Sequence, residues 1–490
     1  MTASDHVDVL IIGAGLSGIG AAARLHRERP ELTFEVLEAR AAIGGTWDLF
    51  KYPGIRSDTD AFTMGYSFKP WRGRESITSG DSLRTYIRDL ARESGVENHI
   101  RFNTKALGAS WSSADARWTV RAETDGQPVE ISANFVYTCA GYYDYDKGHT
   151  PHFPGQEDFA GQLVYPQFWP EDLDYAGKRV VVIGSGATAI TLVPSMAPTA
   201  GHVTMLQRSP TWVLSLPAVD QLAVGLQKVL PAATAHRIVR AKNVLTIQGM
   251  YALSRRRPDT FKKICRKTAM HFLKDSALVD EHFTPSYEPW DQRLCLVPDG
   301  DLFKAIRSGS VDVVTDHIDT FVPEGIRLKS GKVLAADIVV SATGLTLKPL
   351  GGLTLQVDGQ AVDIADTVAY RAWMLSGVPN FGFCFGYSNN SWTLRADLSA
   401  RYLTRLLGHM GSHGYSTAVP TPPPGMGRKP FLDLTSGYVQ RGIAHFPKSG
   451  TSGPWLVTQN YLGDVLAARR ADIAEDIAFQ AQERTRATVG

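Results

Sequence analysis

Apolar and polar positions follow two rhythms along the first forty residues, and glycine stands where one gives way to the other. Residues 7–12 form an apolar run, broken only by Asp8, that predicts a buried strand, and the Ala-rich stretch beyond Gly18 predicts a helix. Between them lies Gly13-Ala14-Gly15-Leu16-Ser17-Gly18, and a second apolar strand, residues 34–37, ends in Glu38. The pattern recurs as strand 179–183, then Gly184-Ser185-Gly186-Ala187-Thr188-Ala189, an apolar helix and strand 203–207. Residues 81–93 read as helix and 99–121 as strands. Short buried strands at 136–139 and 338–340 lead into Ala140-Gly141 and Ser341-Ala342-Thr343-Gly344. Residues 214–275 read as helical. Ser391 is a good N-cap for an amphipathic stretch bearing Leu394, Leu398, Leu403 and Leu407, residues 422–430 are a Pro/Gly-rich loop, and a last helix starts near Tyr461.

The spacing gives the glycines separate tasks. Gly13 permits the turn, Gly15 lets the backbone approach a pyrophosphate, and Gly18 lets helix pack on strand, so that the helix N-terminus faces phosphate. Glu38 stands twenty residues after Gly18, where a carboxylate can accept ribose hydroxyls. In the second unit Gln207 falls where such an acid is expected, and Arg208 follows it. An arginine there suits a 2′-phosphate and favours NADP over NAD, the alternative being a merely solvated charge. The loop Ile43-Gly44-Gly45-Thr46-Trp47, continuing to Asp58, suits a flat ligand or a plain surface loop. The expected fold is α/β, with two Rossmann-like dinucleotide-binding domains, for FAD and NADP, and a helical insertion in the NADP domain. Residues 1–145 make the first part of the FAD domain. Residues 146–349 make the NADP domain with its insertion at about 214–290, and residues 350–490 complete the FAD domain and the C-terminal region.

A formal net charge of +2 with 20% charged residues argues against a nucleic-acid partner and points to small molecules. The basic segment within 214–275 could lie on a membrane surface, although a solvated helix face is the favoured reading. Cys139, Cys265, Cys295 and Cys384 lack the spacing of a disulfide framework or a zinc site, so no metal is expected. With no apolar run of spanning length, a cytoplasmic location is expected. The residues by themselves lead to an oxidoreductase using FAD and NADPH.

Between the two glycine turns lies Phe159-Ala160-Gly161-Gln162-Leu163-Val164-Tyr165-Pro166-Gln167-Phe168-Trp169-Pro170. It resembles the fingerprint of flavin monooxygenases of the Baeyer-Villiger type. Gly44-Gly45-Thr46-Trp47-Asp48, residues 52–58, Pro289-Trp290-Asp291-Gln292-Arg293-Leu294-Cys295 and Ser391-Trp392-Thr393-Leu394 resemble the branch that contains the mycobacterial ethionamide-activating monooxygenase. The family has His where this chain has Tyr165, and the closest branch has a second His where it has Phe168. The resemblance implies insertion of one oxygen atom from O2 into ketones and oxidation of thioethers to sulfoxides by way of a flavin (hydro)peroxide. It also implies Arg293 as the catalytic cation and Asp58 as its partner. The cofactor contacts expected are Gly13, Gly15, Ser17, Gly18, Glu38, Gly45, Thr46, Trp47, Asp48, Arg56, Asp58 and Ala106, then Gly184, Ser185, Gly186, Ala187, Thr188, Arg208, Ser209 and Gln292. Three rivals are an uncoupled NADPH oxidase, a non-catalytic flavin redox sensor and a disulfide reductase. The last needs two cysteines beside the flavin, and Cys139 is read as having no near neighbour.

Overall fold

The computed structural model describes residues 5–292 and 294–481. Its first unit starts with β1 (Asp5–Ile12), which runs through the glycine turn into α1 (Leu16–Glu28) and returns as β2 (Phe34–Leu37). β2 lies parallel to β1, with Ile12 opposite Leu37. On the other side β1 pairs in parallel with β3 (Gln127–Thr138), which sets Ile12 beside Thr138. Val9, Leu10 and Ile11 are fully buried, as a parallel strand covered on both faces must be. The sheet continues with chain from far downstream. Phe381–Phe383 pairs in parallel with β3, and Thr354–Val357, Val368–Tyr370 and Lys448–Gly450 belong to the same sheet.

The second unit repeats the motif as β4 (Arg179–Ile183), α2 (Ala187–Met196) and β5 (His202–Gln207). Helices α3 (Gln221–Val229) and α4 (Ala232–Arg256) follow, then another helix over Pro258–Leu273. The sheet resumes at β6 (Ile338–Ser341), parallel to β4 on the side away from β5, with Gln162–Val164 beyond it at the edge.

Three expectations need correction. The helical reading of 214–275 starts too early: Val213–Leu216 is a strand, because Cys295–Pro298, distant in sequence, supplies a parallel partner. Arg428–Pro430, inside the expected loop, pairs antiparallel with Lys448–Gly450. Ser391 occupies the N-cap position of α5 (Trp392–His413), yet its side chain makes no capping bond. The hydroxyl lies 2.6 Å from Thr63 Oγ1 in the interior, where a fixed polar partner competes with the helix end.

α5 is tied to α1 by a buried ion pair between the Arg24 guanidinium and the Asp397 carboxylate, both almost wholly withdrawn from solvent. Burial pushes the Asp397 pKa up, but the charges of Arg24 and Arg401 outweigh it and hold the carboxyl below its usual range. Removing Arg24 leaves the buried Asp397 carboxylate with only the half-exposed Arg401, at 3.2 Å. Arg24→Met should therefore cost about 3 kcal/mol or more in chemical denaturation. Because the folded pKa is depressed, the pair's contribution is complete above the ordinary aspartate value of about 4 and is lost as pH falls below it. Melting temperature followed across that range should drop less steeply in Asp397→Asn than in the wild type, and parallel curves would count against the pair's role.

Candidate functional site

The first glycine turn opens into a cavity of about 310 Å³. Gly13 has φ +103°, and a Cβ there would lie 2.8 Å from the Cys139 carbonyl oxygen, so the chain can reverse here only without a side chain. α1 begins at Gly15 with no side-chain cap and no acidic residue in its first turn, leaving backbone N–H groups toward the cavity. Glu38, at the end of β2, is buried. One oxygen accepts from Ala14 N–H at 2.7 Å and the other from Arg40 N–H at 2.9 Å. Burial dominates and pushes its pKa up, opposed by those two bonds. The opposite wall is aromatic. Tyr142 stacks on Trp392 with centroids 5.1 Å apart, Trp392 Nε1 donates to Ser17 Oγ at 2.8 Å, and the Tyr142 and Tyr143 hydroxyls lie 2.6 Å apart.

The second glycine turn faces a cavity of about 610 Å³. α2 likewise starts, at Gly186, without a side-chain cap or first-turn acid. Gln207 is buried and committed elsewhere, donating to His282 O at 2.8 Å and Thr315 Oγ1 at 2.9 Å. Arg208 is exposed on the cavity wall and, among the described residues, forms no hydrogen bond or ion pair. Tyr143 and Tyr438 line both cavities, which therefore meet at these two rings. Two uncapped helix ends, an acid beside one and a free guanidinium beside the other, form a donor set that fits two dinucleotides.

Of the expected contacts, Gly13, Gly15, Ser17, Glu38, Gly45, Thr46, Trp47, Asp58 and Ala106 line the first cavity. Gly184, Ser185, Gly186, Ala187, Thr188, Arg208, Ser209 and Gln292 line the second. Gly18 lies behind the turn, where a Cβ would fall 1.8 Å from Gly13 O. Asp48 is turned away from the first cavity onto Arg40, at 2.7 Å. Arg56 pairs with Asp301 at 2.5 Å, and its loop seats on the second unit rather than lying on the surface. Arg293 lies outside the described residues.

Some participants carried no sequence signal. Arg441, on a short helix after the Pro/Gly-rich region, enters the second cavity, and partial burial pushes its pKa down. Tyr438 lies on the same helix. The reading of Cys139 as having no near neighbour is overturned. Cys384 N–H donates to Thr138 O at 2.9 Å on the adjacent strand, which brings the two thiols near each other at the edge of the first cavity. Register between strands, not distance along the chain, decides such neighbours.

The description "Flavin-binding monooxygenase-like" matches residues 6–223. The chain is 49% identical over 475 residues to "FAD-containing monooxygenase EthA" of Mycolicibacterium smegmatis, covering 96% of each. It is 48% identical over 475 residues to "Probable FAD-binding monooxygenase AlmA" of Acinetobacter baylyi, covering 95% of this chain and 94% of that one. Among solved structures, an open cyclohexanone monooxygenase superposes with a TM-score of 0.76 at 18% identity, covering 98% of this chain and 100% of that one. An oxidised steroid monooxygenase bound to NADP gives 0.75 at 21%, covering 97% and 99%. At such identities these structures establish a shared fold.

If the Arg208 guanidinium meets a 2′-phosphate, Arg208→Ala should raise the Michaelis constant for NADPH at least tenfold and leave that for NADH nearly unchanged. Steady-state kinetics with both nucleotides checks this, and equal effects would remove the 2′-phosphate role.

Proposed function

The chain belongs to the flavin-binding monooxygenase-like family, and from that premise we propose that it uses NADPH and O2 to insert one oxygen atom into ketones, giving esters or lactones, and to oxidise thioethers to sulfoxides. The second oxygen atom leaves as water, formed with the hydride of NADPH and one proton from solvent, and NADPH becomes NADP+. One observation carries the reading: two cavities, each opened by a glycine turn, meet at Tyr143 and Tyr438. In this reading residues 1–145 and 350–490 hold FAD and residues 146–349 hold NADPH.

Bound in the first cavity, FAD would supply hydride acceptance and oxygen activation. The chain's own residues do the rest. The N-terminus of α1 receives the FAD diphosphate and Glu38 the ribose, while the N-terminus of α2 and Arg208 take the NADPH phosphates. Tyr142, Trp392 and Phe385 wall the first cavity with apolar surface and limit water at the reacting atoms. Asp58 lines that cavity. The family motif assigns Arg293 as a fixed cation where negative charge develops on the substrate oxygen, with Asp58 orienting it. A unit charge at about 4 Å with an effective dielectric of about 20 is worth about 4 kcal/mol, roughly a thousandfold in rate.

The departure at Tyr165 bears on coupling. Tyr165 is half-buried, follows the edge strand of the second sheet and precedes Gln167, whose side-chain amide donates to Asp144 O at 2.7 Å in the chain leaving the first unit. An imidazole can donate through one ring nitrogen and accept through the other, which a phenol with its single oxygen cannot do across the same span. A looser closure leaks reduced oxygen as hydrogen peroxide.

Arg293→Ala should keep the yellow flavin absorbance yet lose ketone oxidation by about a thousandfold. Product formation with a panel of ketones and thioethers tests it, and wild-type turnover would refute the assignment. Tyr165→His should raise product formed per NADPH consumed without changing the flavin reduction rate. Measuring product and peroxide together decides between this and a tyrosine that merely packs.

A further inference from the structure

The helical hairpin of α3 and α4 has a feature that the reaction does not use. From Gln221 to Pro258 the chain runs through 38 residues without one Asp or Glu while carrying seven Lys and Arg. Two of the seven are internally committed. Arg240 is buried and donates to the Phe62, Thr63 and Gly65 carbonyls, and Lys242 pairs with Asp220 at 2.5 Å. Arg255 reaches Asp291 at 2.7 Å, while Lys228, Arg237, Arg256 and Arg257 project into solvent.

The outer face of the same hairpin is apolar. Leu222 and Val229 on α3 are 46% and 75% exposed, and Ile238 and Leu245 on α4 are 43% and 60% exposed. Each pair is seven residues apart, two turns along one face. The Lys242–Asp220 bridge fixes the start of α3 beside the middle of α4, so the helices run antiparallel. Counted from that bridge, Leu222 and Val229 stand level with about residues 240 and 233 of α4, so the two apolar pairs are staggered along the hairpin over about 18 Å, on helices packed about 8–10 Å apart. The patch is rigidly joined to the cavity wall. The inner face of α4 holds the 60–65 segment through Asn243, which donates to Asp60 Oδ1 at 2.8 Å, and through Arg240, and Met64 lines the first cavity.

We propose that the outer face of the α3–α4 hairpin docks on an anionic lipid surface, its four apolar side chains entering the headgroup boundary and Lys228, Arg237, Arg256 and Arg257 meeting acidic headgroups. Charge selects this occupant. An acid-free cationic hairpin repels a second copy of itself, and exposed aliphatic side chains gain nothing from a soluble polyanion. No helix among the described residues is long and apolar enough to cross a membrane, so the contact lies in the plane of the surface.

The test is sedimentation of the full FAD-loaded protein with vesicles of phosphatidylcholine alone or mixed with phosphatidylglycerol, at low and high salt. The expected result is at least tenfold tighter binding to the anionic vesicles, weakened by salt. Val229→Asp with Leu245→Asp should reduce binding tenfold or more, and Lys228→Gln with Arg237→Gln should reduce it roughly fivefold for each charge removed. Flavin absorbance and NADPH oxidation with a water-soluble substrate should stay at wild-type level in both variants. If the apolar variant loses its flavin, the lysine–arginine variant alone decides. Absence of binding to anionic vesicles, equal binding to neutral ones, or binding indifferent to the decisive variant would overturn the proposal. So would dissociation of a wild-type oligomer by the apolar variant without any vesicle binding, which would assign the face to a second copy of the chain.

Discussion

Two dinucleotides can share one reaction only if their binding turns are held face to face, and here that arrangement depends on the short joint of residues 52–58. The joint leaves the first unit and seats on α2 of the second. Gly54 has φ +74°, and a Cβ there would fall 1.8 Å from Ser195 Oγ, so the backbone lies directly on the helix. Arg56 closes the contact on Asp301, and Tyr52 is buried beside Thr188 at the second glycine turn, where burial pushes the Tyr52 pKa up to about 12. The same stretch then delivers Asp58 to the first cavity. Clamp and site are thus one continuous segment, and any shift between the units is felt at once by the carboxylate.

Local chemistry was readable wherever it was local. Both glycine turns, their strands and the acid or arginine that follows obey short-range geometry, and they stand where the spacing put them. Strand 179–183 matched residue for residue. What escaped depends on pairing across the chain. Val213–Leu216 is a strand because of residues 295–298, Cys384 meets Cys139 because of sheet register, and Ser391 gives up its cap because Thr63 is waiting in the interior. Tyr438 and Arg441 reach the cavities from a segment, just after the Pro/Gly-rich stretch, that carries no ligand-binding motif. Arg56 has the charge of a ligand contact but spends it on Asp301, which no periodicity could reveal.

The first cavity joins two kinds of surface. Its floor is peptide, arranged so that N–H groups converge on anions, while its roof is stacked aromatic rings held by a few fixed bonds such as Trp392 to Ser17. The rings bring apolar area at a low cost in lost rotamer freedom, so the cavity keeps its shape before anything enters it.

The split of the first sheet between distant parts of the chain governs how the molecule comes into being. The strands of the second sheet all lie between residues 162 and 341, whereas β3 must wait for Phe381–Phe383 to become its neighbour. During synthesis from the N-terminus, the second unit has all its partners first, and the earlier-made strands stay with an open edge until the last part of the chain emerges. That edge is the high-contact-order, aggregation-exposed stage of biogenesis, and it lasts at least as long as translation of the segment between β3 and residue 381.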